Sequence, residues 1–309
     1  MEHGKYYCFK RDETENIINR FGEEFYEKVL RDIVTYTERW KLYDFELVHS
    51  YSANCVFKCC SKLYGNTVLK IGKPCREAVT EHNTLCEYNG RRFCKVYNAD
   101  IQNGVILEEG IQPGDSLLHG NPREERIFIF YSLFNGLHIA PGRIAQYPTY
   151  IEWIEKSVDY LSKREDCKEL YKHIERAKEI CLSVSALYPR KMLLHGDLHH
   201  GNIILNQSGE YTLIDPKGVI GDPIFDMSRF LLNEFSDTLS PEKFQEIEEV
   251  VCDLANKLDI PSKILKLCLY VETAIWVCDD LEKGSSLEEC AFLIDNVIHA
   301  EALIHHVSS

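Results

Sequence analysis

LLHGDLHHGNIILNQSGEYTLIDPKG, residues 193–218, sets Asp197, Asn202 five residues on and Asp215 thirteen beyond that at the ends of short apolar runs. Residues 192–194, 203–205 and 211–214 read as short strands, with Asn206, Ser208 and Gly209 supplying turn chemistry between the last two. A strand, loop, strand, turn, strand order would bring both ends of this stretch to one cleft. Moving a γ-phosphoryl group asks for a residue that orients the attacking hydroxyl and for oxygen ligands that hold Mg²⁺ on the phosphates. Asp197 suits the first task, and Asn202 and Asp215 suit the second.

The five-residue step from Asp197 to Asn202 equals that of the protein-kinase catalytic loop HRDxxxxN, but the loop here is HGDLHHGN, and DPKG replaces DFG. With IDPKGVIGDPIFD behind it, HGDLHHGN resembles the aminoglycoside phosphotransferases. Within them, DPKG and GDPxxD are most similar to the streptomycin 6-phosphotransferase and hydroxyurea phosphotransferase branch. The resemblance runs over about residues 45–284. It implies an α+β, two-lobed protein-kinase-like fold. Residues 1–107 would form an N-terminal lobe (helical extension 1–42, nucleotide-binding sheet 43–107), 108–114 a hinge, and 115–309 a helical catalytic and substrate-binding lobe.

The implied activity is transfer of the γ-phosphate of ATP or GTP, with Mg²⁺, to a hydroxyl of a small cationic molecule, a streptomycin-like aminoglycoside first. Hydroxyurea, choline or a metabolite are alternative acceptors, and a non-catalytic nucleotide-binding regulator is the rival of another class. A binding module has no need of a hydroxyl-orienting Asp197, which counts against that rival.

Upstream, residues 13–40 show helical spacing with Gly22 as a break, and 45–48, 55–59 and 67–71 read as strands. Lys70 follows Val68 and Leu69 and resembles the third-strand lysine that pairs with nucleotide phosphates. A helix after Pro74, ending at Asn89-Gly90, would carry its carboxylate partner, Glu81, with Glu77 the competitor. The turn 49–54 sits where a phosphate-covering loop belongs but contains no glycine, so Ser50, Ser52 and Asn54 would assist backbone N–H groups there. The resemblance further assigns Glu108, Glu109 and Ile111 to backbone contacts with the purine edge. Asp115 or Ser116 would cap the next helix.

From 124 to 188 the chain reads as helices, with Phe128, Tyr131, Leu133, Phe134 and Leu137 suggesting one strongly buried helix. His195, His199 and His200 invite a zinc reading, but Gly196 and Gly201 oppose a helix and no third ligand is evident. His195 instead would brace the loop, and His199 and His200 would line the cleft or face solvent. Lys217 is either a phosphate neighbour or a surface residue, while Asp222 or Asp226 suits hydrogen bonds to loop backbone. VETAIWVCDDLEKG resembles the acceptor-facing stretch of the branch, which makes Glu272, Trp276, Asp279 and Asp280 candidates for binding a guanidinium or ammonium group.

The composition is that of a globular protein, with 45% hydrophobic and 27% charged residues among 309. No run approaches the roughly 18 apolar residues of a membrane span, and the start lacks an apolar signal core, so a cytoplasmic monomer without membrane partners is expected. The 13 cysteines are odd in number and lack a paired CxxC, which suggests free thiols. A net charge of −14 argues against nucleic acid as a partner. Residues 219–309 hold 6 Lys+Arg against 18 Asp+Glu, −12 of that total, which would attract a cationic substrate.

Overall fold

A computed structural model describes residues 6–49, 53–234 and 241–305. The chain divides into two compact units, Met1–His119 with Ile203–Asp215, and Gly120–Asn202 with Pro216–Ser309.

The first unit opens with helices α1 (Arg11–Phe21) and α2 (Glu23–Trp40). Gly22 joins them at φ 92°, a conformation that side-chain-bearing residues rarely adopt. Strands β1 (Leu42–Val48), β2 (Cys55–Ser61) and β3 (Gly65–Ile71), helix α3 (Arg76–Tyr88), and strands β4 (Val96–Asp100) and β5 (Val105–Glu109) follow. The strands form an antiparallel sheet in the order β1-β2-β3-β5-β4. Ile17, Phe25, Val29, Ile33 and Trp40 share one buried core with Leu42, Phe57, Leu69 and Leu107. The two helices therefore cover one face of the sheet. Strand β1 starts three residues before the predicted 45–48 because the register shifts between Tyr43 and Glu46, with Asp44 at φ 57°, and this interrupts the alternation.

The second unit begins with α4 (Arg123–Phe134), α5 (Tyr150–Ser162), α6 (Lys168–Leu187) and strand β6 (Met192–Leu194). Helix α4 turns Ile127, Phe130 and Phe134 inward, whereas Phe128, expected on the buried face, is 62% exposed. The ring of Phe130 stacks on Phe230 at 3.9 Å between centroids, and that tertiary contact sets the helix's rotation. Thr149 and Glu152 form a reciprocal cap at the start of α5.

The chain then contributes β7 (Ile203–Leu205) and β8 (Tyr211–Leu213) to the first unit as a hairpin. Residues 114–117 run along β7, with Gly114 N donating to Leu205 O at 3.1 Å and Leu117 N to Ile203 O at 2.8 Å. Asp115 and Ser116 consequently cap no helix, and α4 starts only after Pro122. Cys94 N likewise donates to Leu213 O at 3.0 Å, so the apolar pair Phe93-Cys94 is drawn to the hairpin and β4 begins only at Val96.

Back in the second unit, β9 (Val219–Gly221) pairs antiparallel with β6. Helices α7 (Met227–Asn233), α8 (Pro241–Leu258), α9 (Ser262–Glu282) and α10 (Ala291–His305) complete it. Helix α9 packs against α5, α6, α7, α8 and α10, which is why it is apolar nearly all round. The cysteines are all free thiols. No helix among the described residues is long and apolar enough to cross a membrane.

Candidate active site

In the first unit, β-sheet register decides what surrounds Lys70. Lys70 pairs with Ile106 across β3 and β5, and Val68 with Glu108, so alternation puts Lys70 and Glu108 on one face. Lys70 Nζ donates to Glu81 Oε1 at 2.5 Å, lies 3.0 Å from Glu108 Oε2 and also donates to Asp215 Oδ1. Of the two carboxylates weighed on α3, Glu81 is buried in this cluster and Glu77 is exposed. Burial alone would lower the Lys70 pKa, but Asp215, Glu108 and Glu81 outweigh it and hold the ammonium well above its ordinary value. Burial also raises Glu81 against the pull of Lys70.

Glu108 goes furthest. Burial pushes its pKa from an ordinary 4.5 up to about 8 despite Lys70, and its buried Oε1 has no hydrogen-bond partner among the described residues. The folded chain thus holds a proton that the unfolded chain releases. The resulting stabilisation is complete below about pH 4.5 and is lost as the pH rises through about 8. Glu108→Gln should flatten the fall in melting temperature between pH 6 and pH 8; an unchanged slope in the variant would show that Glu108 is not its source.

Most of the backbone expected at a purine edge is engaged within the first unit. Glu108 is a ladder residue of β5, Glu109 N donates to Lys95 O at 2.8 Å, and Gly110 N donates to Asn66 O at 3.0 Å. Ile111 is left as the residue of this stretch whose amide has no hydrogen bond among the described residues. Gly110 must be glycine-sized, since a Cβ there would sit 2.7 Å from Thr67 N. The Asn54 amide packs over the Gly72 backbone, where a Cβ would strike it, and Ser52 lies outside the described residues. Glu109 and Ile111 also help line a cavity of about 480 Å³ with Tyr64, Lys95, Tyr97 and Asn206. Lys70, Glu81 and Asp215 are not part of its lining.

In the second unit the loop between β6 and residue 202 is braced from below by Asp226. Its carboxylate accepts from His195 N and Gly196 N, each at 2.7 Å, and lies 2.9 Å from His138 Nε2. Gly196 has φ 77°, and a Cβ on it would stand 2.8 Å from the Trp153 ring. His195 Nδ1 accepts from Asp197 N at 3.2 Å and its carbonyl from Lys217 N at 2.8 Å. Asn202 Nδ2 donates to Asp197 O at 2.9 Å, and its amide oxygen accepts no hydrogen bond among the described residues. Asp222 serves Arg190 and Ile224 N instead of the loop. His200, expected in the cleft or in solvent, is buried on Glu234 at 2.7 Å, and Glu234 also binds Arg126 at 2.6 Å. The reason is Phe230, whose ring stacks on the imidazole and draws it inward.

Asp197 Oδ1 accepts from Arg229 Nε at 2.8 Å, and Oδ2 has no hydrogen-bond partner among the described residues. Burial would raise this carboxyl, but Arg229, Lys217 and His199 outweigh it and hold it well below the usual carboxylate range. Arg229 was not a sequence candidate, although it stands three residues after Asp226 and so on the same loop-facing side of the chain's turn into α7. On α9, Glu272 accepts from Tyr150 OH at 2.5 Å and lies 3.7 Å from Arg229 Nη1. The Arg229 guanidinium lies 4.3 Å from the Trp276 ring centroid. Asp279 pairs with Lys283 at 2.6 Å and lies 4.0 Å from Lys217, while Asp280 is half-buried one step further round the helix.

Residues 39–280 match the sequence profile of the aminoglycoside/hydroxyurea antibiotic resistance kinases. The chain belongs to that family. Streptomycin 6-kinase from Streptomyces griseus is 25% identical over 198 residues, 62% of this chain and 62% of that protein. Hydroxyurea phosphotransferase from Kitasatospora aureofaciens is 25% identical over 230 residues, 69% of this chain and 64% of that protein. The chain thus spans less than two thirds of the length of these curated relatives. Choline kinase LicA from Streptococcus pneumoniae superimposes with a TM-score of 0.63 at 15% identity, covering 90% of this chain and 98% of that one. At that identity the likeness concerns the fold, which is protein-kinase-like, with a β-rich first unit and a helical second one. The family's kinase chemistry implies a divalent cation, and each unit taken by itself holds one oxygen donor of the type Mg²⁺ takes. Asn202 offers an amide oxygen, and Asp215, whose side chain is 47% exposed, keeps a second carboxylate oxygen beyond the one bonded to Lys70.

Proposed function

We propose that this family member transfers the γ-phosphoryl group of a nucleoside triphosphate, ATP or GTP, to a hydroxyl of a small molecule. The observation that carries the reading is the Asp197 carboxylate, ionised, pinned through one oxygen by Arg229 and open at the other. A carboxylate held so acidic is a weak base. Its contribution is to align the hydroxyl and to accept the proton late, which suits a loose transition state with little bonding to the nucleophile. Lys70, set by Glu81, would contact the α- and β-phosphates, and Asn202 and Asp215 would hold Mg²⁺, which supplies charge neutralisation on the phosphates when bound. Ile111 would offer its amide to the purine edge.

For the acceptor, a streptomycin-like aminoglycoside is the first reading, supported by the likeness to streptomycin 6-kinase and by Glu272, Trp276, Asp279 and Asp280 on α9. An uncharged hydroxyl compound such as hydroxyurea is the second. It is favoured by the pairing of Glu272, Trp276 and Asp279 with cations of the chain itself.

Coupled-assay turnover of Mg·ATP and Mg·GTP against streptomycin, other aminoglycosides, hydroxyurea and choline, with Asp197→Ala as blank, tests the activity. Turnover of one acceptor above the blank is expected; silence across the panel with nucleotide still bound would favour a regulatory nucleotide binder. Asp215→Ala should weaken Mg-nucleotide affinity at least tenfold in a calorimetric titration, and unchanged affinity would remove it from the metal site.

A further inference from the structure

Asp226, Phe230 and Glu234 follow one another at steps of four, so they form one stripe along α7, whose backbone is still helical at its two capping residues, Asp226 and Glu234. The stripe lies against the loop between β6 and residue 202. Its first residue takes the amides of His195 and Gly196. Its second and third meet at one side chain, His200, whose ring stacks on Phe230 at 4.3 Å between centroids and whose Nε2 donates to Glu234 Oε1 at 2.7 Å. Burial would raise the Glu234 carboxyl, but the hydrogen bonds from His200 and Arg126 hold it down at about 2. As an ionised carboxylate it can only accept, which places the shared proton on the imidazole.

Glu234 is itself locked. Its side chain is fully buried, and Arg126 on α4 addresses both of its oxygens, Nε to Oε1 at 3.0 Å and Nη2 to Oε2 at 2.6 Å, with Nη1 donating to Asn121 O at 2.8 Å. A planar fork of this kind fixes a carboxylate in orientation as well as in position. Phe230 is held from the same helix, by the Phe130 ring at 3.9 Å. Helices α4 and α7 thus converge on one imidazole that is too deeply buried to meet a ligand, with a side chain 3% exposed and an Nδ1 that has no hydrogen-bond partner among the described residues.

What this imidazole controls is the single tight helical turn that it opens, His200–Asn202. Asn202 closes that turn, its N donating to His199 O and its Nδ2 to Asp197 O, each at 2.9 Å. Those two bonds set the Asn202 side chain relative to the loop. They do not fix the loop relative to the helices, and that task falls to Asp226 at one end and to His200 at the other.

We propose that Arg126, Glu234 and His200 form a positioning clamp for Asn202, holding the turn 200–202 so that the amide oxygen stands where Mg²⁺ on a bound nucleotide takes it. The inference rests on the reading of Asn202 as a metal ligand and adds the residues that place it. Such support matters for this ion in particular, because Mg²⁺ demands near-ideal octahedral placement of its oxygens and tolerates little displacement.

Two variants of the full chain test the clamp. Glu234→Gln keeps its shape and removes the charge that holds both partners. His200→Phe keeps a ring on Phe230, leaves Glu234 paired with Arg126 and removes only the hydrogen bond, so it decides the matter if the first variant does not fold. Calorimetric titration of a non-hydrolysable ATP analogue, once with Mg²⁺ and once in chelator, gives the factor by which the metal tightens the nucleotide. That factor is a ratio of two affinities of one preparation, so a general loss of folded protein leaves it unmoved. Each clamp variant should lower it by roughly tenfold, the usual cost of losing the support behind a metal ligand, and Asn202→Ala by at least as much, while the affinity in chelator stays the same. Glu234→Gln added to Asn202→Ala should lower it no further, because the clamp acts through that one oxygen. A factor unmoved by both clamp variants while Asn202→Ala lowers it, or losses that multiply in the double variant, overturns the proposal and leaves Asn202 as a ligand. A factor that Asn202→Ala does not move removes the metal reading itself, and the clamp falls with it.

Discussion

Asp197→Asn is expected to lower turnover by roughly 10²–10⁴-fold, the usual worth of a positioned general base. Asparagine keeps the size of the side chain and an oxygen for Arg229 Nε, now 2.8 Å from Oδ1, and so leaves the pocket's shape alone. What it removes is the charge that draws the hydroxyl into line and takes its proton. Nucleotide affinity should change less than about twofold, because Lys70, Glu81 and Asp215 belong to the other unit and the Asn202 bond to residue 197 goes to its backbone carbonyl. Single-turnover kinetics and a nucleotide titration on the same preparation separate the two quantities. Parallel loss of turnover and affinity would mean that the side chain holds the loop together instead.

Lys70→Met is expected to destabilise the chain by about 3–5 kcal/mol, the cost of leaving buried carboxylates without their cation. Glu81 bears most of it, since it is buried 2.5 Å from Nζ, whereas Asp215 is half-exposed and can turn to water. Glu108, with its pKa already near 8, stays neutral below that pH and adds to the cost only above it, so the loss should be larger at pH 8.5 than at pH 6.5. Urea unfolding at the two pH values measures this. Adding Glu81→Gln to Lys70→Met should restore part of the stability, because the partner left behind is then neutral. A double variant no more stable than the single one would remove Glu81 as the principal partner. Nucleotide affinity should fall in both, which separates the lysine's two duties.

Much of this site was legible because chemistry and spacing coincide in short stretches. Asp197, Asn202 and Asp215 stand at strand ends that apolar runs announce, and Lys70 falls in an alternating strand. The choice of Glu81 over Glu77 followed from the helical period, which sets Glu81 in line with Leu85 and Tyr88, both buried. The same alternation would have found the Glu108 side chain, had the strand's pairing with β3 been known. Three readings failed where a partner distant in the chain competes for the residue. Phe230 turns α4 so that Phe128 faces water, β7 takes the backbone of 114–117 that Asp115 and Ser116 were to lead into a helix, and Phe230, with Glu234, takes His200 inward.

The sequence by itself determined which residue types could orient a hydroxyl, bind phosphate and ligate a metal, and on which strands and loops they stand, because those properties depend on side-chain chemistry and on backbone periods of a few residues. Only the tertiary structure decided which of the charges meet. Lys70 and Asp215 are 145 residues apart, and the Arg229 guanidinium on α7 reaches Asp197 in the loop after β6 and Glu272 and Trp276 on α9. Local spacing carries no record of such meetings, since Coulomb pairing acts through space and depends on which side chains the packed core leaves sharing one water-poor volume.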